Sequence, residues 1–83
     1  MKYVAEINVM PHKNLLDPQG KAVSGSMAAI GLPQVSNVRV GKHISLEIEA
    51  LNENEAFQKA DEACKKLLAN QVMEYYEISI HSI

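Results

Sequence analysis

Tryptophan is absent from this 83-residue chain, phenylalanine occurs once and tyrosine three times. A chain of this length hides only about 60% of the surface it exposes when unfolded. With so few large anchors its one core is thin, and association with other chains would supplement it. A lone cysteine excludes an internal disulfide framework and any multi-cysteine zinc site, and it fits a reducing compartment. Positive charge is short as well: 8 Lys and Arg stand against 10 Asp and Glu, for a net charge of -2. Such a balance draws no polyanion, so nucleic acid is not an expected partner. No apolar run approaches the roughly 20 residues that span a bilayer, so no membrane partner is expected either. The opening MKYVAEINVM alternates and carries Glu6, unlike a signal peptide. One domain over residues 1–83 is the expectation.

What is present is strongly patterned. From Lys2 to Met10, Tyr3, Ala5, Ile7 and Val9 alternate with polar residues, which predicts a half-buried strand. Pro11 lacks an N–H and ends it, and PHKNLLDP reads as a loop. Asp17 then suits an N-cap and Pro18 a first helical position. Val23, Met27 and Ile30 keep helical spacing, and Gly31 with Pro33 marks the stop, so a helix is predicted over roughly 18 to 30. Val35 to Val40 predicts a second strand, with Gly41-Lys42 as a tight connection to a third, His43 to Ala50, in which Ile44, Leu46 and Ile48 alternate with Ser45, Glu47 and Glu49. Asn52 caps a second helix with Glu55 at the capping-box position, and its apolar stripe runs Ala56, Phe57, Ala60, Cys64, Leu67, Leu68. Asn70 is read as its left-handed stop. Glu74 to Ile83 alternates again.

The order strand, helix, strand, strand, helix, strand predicts an α+β fold. It is the ferredoxin-like βαββαβ arrangement, a four-stranded antiparallel sheet with both helices on one face. The other face is then a mixture suited to water or a polar protein interface, carrying Lys2, Val4, Glu6, Asn8, Met10, Asn37, Arg39, Ser45, Glu47, Glu49, Tyr75, Glu77, Ser79 and His81.

Reaction chemistry is hard to find. Cys64 lies on the apolar stripe, where a thiol is an inert small hydrophobe. His12, His43 and His81 have no ligand at metal spacing. Base stacking needs aromatic rings where the third strand offers Ser45, Glu47 and Glu49, and those carboxylates repel phosphate. The first loop holds His12 and Lys13 but neither the arginine that would grip a phosphate nor a cysteine pair for copper. No catalytic, cofactor-binding or metal residues are therefore assigned. The candidates are for contact with other proteins: Asp17, Gln19 and Gly20 at the first helix start, Gly25 within it, and Arg39 and Lys42 near the turn. Gly20 and Gly25 weaken the helix by roughly 1 kcal/mol each against alanine. Room for a neighbouring chain would explain them, and on that view both accept alanine without loss of folding. The residues thus describe a small non-catalytic domain disposed to associate. The alternative is a stand-alone regulatory module binding a small metabolite between paired domains.

Three fragments, LDPQGKAV (16–23), VRVGK (38–42) and LLAN followed by Val72 and Glu74, occur in order at matching spacing. With them the chain resembles the PurS family, the small subunit of bacterial phosphoribosylformylglycinamidine synthase, over nearly its whole length. Gln71 stands where that family's pattern would have proline. The resemblance implies a cytoplasmic subunit that forms dimers or tetramers and joins a glutaminase subunit to a large synthetase subunit. It implies a role in purine nucleotide synthesis, in which formylglycinamide ribonucleotide, glutamine and ATP yield the amidine. It also implies that ammonia passes between the sites with this chain's help. ATP and magnesium would sit on the synthetase partner and no cofactor on this chain.

Overall fold

Alternation makes the strands, as expected. β1 (Lys2–Pro11) buries Tyr3, Ala5, Ile7 and Val9 on one face. In the computed structural model, which describes residues 1–13 and 15–83, β1 is the central strand of an antiparallel sheet. Asn14, part of the expected loop, lies outside the described residues. β2 (Lys42–Glu49) flanks β1 on one side with Ala5 opposite Leu46 and Ile7 opposite Ile44. β3 (Glu74–Ser82) flanks it on the other with Ala5 opposite Ile80 and Ile7 opposite Ile78. The apolar residues of all three strands share one face, so the expected register holds.

α2 (Glu53–Ala63) covers that face. Its start follows the capping logic: Asn52 Oδ1 accepts from the Glu55 amide at 2.9 Å, and Glu53 and Glu55 lie in the positive first turn. Ala56, Ala60 and Cys64 are fully buried, and Ala60 and Cys64 pack in one cluster with Ala5, Ile7 and Val9. The Tyr76 hydroxyl donates to Asp61 at 2.5 Å, pinning β3 to the helix. Burial, with the Asp61 charge beside it, pushes the Cys64 thiol up, as an inert core position requires. The helix ends through a wide turn over Cys64–Leu68, where the Ala69 amide donates to the Cys64 carbonyl at 3.0 Å. Ala69 is extended, and Asn70 is not left-handed; the expected asparagine stop is replaced by this widened turn.

Among the described residues the sheet has three strands in the order β2-β1-β3, not four. Residues 35–40 form no strand although Val38 and Val40 alternate with Asn37 and Arg39. Their amides are taken by side chains instead: the Val38 N–H donates to Ser24 Oγ at 3.0 Å and the Val40 N–H to Asp17 Oδ2 at 2.9 Å. Asn37, at φ 56°, breaks the extended run between them. A segment whose donors are satisfied this way has little to gain from a ladder.

Nor do both helices lie on one face. α1 (Pro18–Met27) and the short turn Ala28–Ile30 begin at the Asp17 cap and end at Gly31 with φ 86°, as the sequence predicts. Yet Gly20 is the only buried residue in α1, and Val23 and Ile30 of its apolar stripe are exposed. The helix lies against the 35–40 segment and leaves the sheet to α2, whence a molecule 51 × 26 × 14 Å.

Candidate protein interface

Asp17 is the hub of the protruding half. Its Oδ1 accepts from the Gly20 amide at 3.0 Å, which caps α1. Its Oδ2 accepts from the Val40 amide at 2.9 Å, which ties the chain 23 residues later to the same carboxylate. Those two donors, Gly20 first, with the Arg39 charge 3.8 Å away, hold the Asp17 carboxyl below the usual carboxylate range. Arg39 continues the link. Its guanidinium donates to the carbonyls of Pro11 at 2.7 Å, His12 at 2.5 Å and Lys13 at 3.1 Å. One arginine and one aspartate thus lock three stretches together: the exit from β1, the start of α1, and residues 38–40. The planar five-donor fork of arginine suits this, where a lysine ammonium would not.

Gly20 belongs to the same knot. A Cβ there would collide with the Val38 carbonyl oxygen and crowd the Asp17 carboxylate. The expectation that Gly20 keeps space for another protein is corrected: it keeps space for this chain's own backbone, and alanine does not fit. Gly25 is the opposite case. A Cβ there meets nothing within 4 Å. Of the remaining candidates, Gln19 is exposed on the first turn of α1, and Lys42 lies 4.0 Å from Glu74 at the edge of the sheet.

Beside the knot runs an open groove of about 840 Å³ between α1 and residues 35–39. Leu15, Leu16, Val35 and Val38 supply apolar surface, Gly25 and Ser24 line the helix side, and Lys13 and Lys21 stand at the edges. Six of the chain's eight cations have a carboxylate within 4 Å: Lys2 with Glu47, Arg39 with Asp17, Lys42 with Glu74, Lys59 with Glu55, Lys65 with Asp61, and Lys66 with Glu62. Among the described residues Lys13 and Lys21 have none. Neither is among the contact candidates read from the sequence. Asp17 stands four residues from each and looks like a local partner, but its oxygens are committed to backbone amides.

The open sheet face carries Glu6, Asn8, Ser45, Glu47, Glu49, Glu77, Ser79 and His81 as expected, but not Asn37 or Arg39, which lie outside the strands. Glu6 at its centre bonds His43 Nε2 at 2.5 Å and accepts from Ser45 Oγ at 3.1 Å, and the His43 bond is the chief cause holding its carboxyl low. His43 Nδ1 meets Asn8 Oδ1 at 2.6 Å. These groups satisfy one another's hydrogen bonds.

A family model described as PurS: Phosphoribosylformylglycinamidine (FGAM) synthase matches residues 4–82. A curated relative from Synechocystis, phosphoribosylformylglycinamidine synthase subunit PurS, is 41% identical over 81 residues, which span 98% of this chain and 81% of the relative. The solved structure of Thermus thermophilus PurS is 39% identical with a TM-score of 0.84, covering 100% of this chain and 99% of that one. A chain in the structure of PurLQS from Thermotoga maritima is 35% identical with a TM-score of 0.87, covering 98% and 99%.

Proposed function

This chain belongs to the PurS family, and on that premise we propose that it serves as the small, non-catalytic subunit of phosphoribosylformylglycinamidine synthase, holding the glutaminase and synthetase subunits together in the cytoplasm. The whole assembly is a glutamine-dependent ligase that makes the amidine from formylglycinamide ribonucleotide at the expense of ATP. ATP and magnesium belong to the synthetase subunit. This chain works as a dimer or a tetramer.

The observation that carries the reading is the amount of surface the chain leaves open. A compact monomer of this mass exposes about 4,900 Å², and this one exposes 5793 Å². The difference is close to the roughly 800 Å² that one partner contributes to a standard protein interface. Its radius of gyration is 16.3 Å, against about 12 Å for a compact chain of this length. Ile44, Leu46, Ile48, Ile78 and Ile80 pack against the core but are only half-buried, because α1 stands off the sheet. A chain shaped this way completes its packing on other chains.

A subunit without a reaction centre can still raise turnover. Ammonia released into neutral water becomes ammonium, which is no nucleophile, so a sheltered route between two sites preserves it. Fixing those sites in register has the same effect as positioning a reactant. A sizing column tests the assembly: the chain mixed with the glutaminase and synthetase subunits elutes as one complex containing all three. Elution of the chain apart from both, with substrates present, contradicts the reading.

A further inference from the structure

We propose that α1 of one copy of the chain lies over β2 of a second copy, with Val23, Met27 and Ile30 seated on Ile44, Leu46 and Ile48, and that the contact is reciprocal about a two-fold axis. The proposal rests on the self-association in the proposed function and says which two surfaces make it.

One side of the sheet's apolar face is thinly covered. α2 packs more over β3 than over β2, and the Tyr76–Asp61 bond holds it there. Ile44 and Leu46 stand opposite Ile7 and Ala5 on the same face, and with Ile48 they are only half-buried. A sheet with one apolar face packs it under helices. Chain order would put α1 over β2, but α1 lies against residues 35–40 instead.

The missing cover is on the chain itself, held out of its own reach. Val23, Met27 and Ile30 form an apolar flank of α1, and Val23 and Ile30 are exposed. Residues 18–27 include no carboxylate to repel an apolar surface. The Ser26 hydroxyl beside this flank is turned back on the Ala22 carbonyl at 3.1 Å, so it brings no unmet donor to the contact. The root of the arm is braced. Arg39 holds the carbonyl of Pro11, the last residue of β1, and Gly41 lies so close to the Val9 carbonyl that a Cβ would collide. To cover its own β2, α1 would have to break this brace. The α1 of a second copy needs no such break, and little ordering is left to be done on association.

The areas agree. In a two-fold contact each copy gives both patches, and the surplus of the 5793 Å² exposed here over a compact monomer matches one partner's share of a standard interface. The opposite sheet face is a poorer seat, because Glu6, His43 and Ser45 bond one another there and offer an apolar flank nothing.

The test follows the mass of the full-length chain by light scattering through a dilution series. Wild type dimerises. Val23→Glu with Ile30→Glu, which favours the helix at least as well, weakens the dimer at least about tenfold. Glu77→Lys, on the opposite sheet face, stays within about twofold. Unchanged far-ultraviolet dichroism shows that each variant folds. A nitroxide on Ser26→Cys, mixed with unlabelled isotope-enriched chain, then broadens the amides of residues 44–48 of the other copy more than those of residues 76–80. If the dimer survives the double change, or is lost only with Glu77→Lys, or shows no broadening at 44–48, the proposal is overturned and the self-association stands. If wild type stays monomeric throughout, both fall, and the sizing column with the two larger subunits decides the bridging role separately.

Discussion

Gly20 and the carbonyl of Val38 occupy adjoining space with no room for a methyl group between them, whereas at Gly25, five residues along the same helix, an added Cβ would meet nothing within 4 Å. Two glycines of one weak helix therefore have different physical causes. The first is required by a close backbone approach inside the chain. The second is not required by the chain at all.

Alanine at the two positions should act in opposite directions. Gly20→Ala forces Val38 away and disturbs the Asp17 cap, and overpacking of this kind costs about 1–3 kcal/mol. Gly25→Ala removes the glycine penalty and should gain about 1 kcal/mol. In a domain of this size each kcal/mol moves Tm by roughly 4–8 °C, so thermal melts of the two variants separate clearly. Equal stability of both would mean that the helix does not lie against residues 38–40.

Stability should fall at both ends of the pH scale. The Asp17 and Asp61 carboxyls are held below their ordinary range, Asp17 by the Gly20 and Val40 amides and Asp61 by the Tyr76 hydroxyl and Lys65. Their contribution is present above the unfolded value near about 4 and is lost as pH falls through the lowered folded values. Tyr76 is pushed up to about 12, chiefly by its bond to Asp61. Its contribution is present below the unfolded value of about 10 and is lost as pH rises toward the folded one. Urea midpoints recorded against pH check this. Tyr76→Phe should shrink the alkaline loss and Asp17→Asn the acid loss. A Tyr76→Phe variant with an undiminished alkaline loss would contradict the Tyr76–Asp61 link.

Much of the fold was legible because it rests on short-range pattern. The inward faces of β1, β2 and β3, the Asn52 cap, the Asp17-Pro18 start and the Gly31 stop all appear as written. The missing fourth strand was not legible. Val38 and Val40 alternate with Asn37 and Arg39, but their amides find Ser24 and Asp17, 14 and 23 residues away, and only the folded chain shows that competition. Candidate residues fared similarly. Asp17, Gly20 and Arg39, read from the sequence as contacts for other proteins, face inward and hold the shape of the surface. Lys13 and Lys21 carry no motif, and what distinguishes them is that among the described residues no carboxylate lies within 4 Å of either.

The central claim is that the chain organises other subunits and performs no reaction itself. The most direct measurement compares glutamine-dependent with ammonia-dependent synthesis of the amidine, with and without this chain. Leaving it out should lower the glutamine-dependent rate at least about a hundredfold while most of the ammonia-dependent rate survives. An equal fall in both rates would contradict the account and put the chain inside the synthetase chemistry.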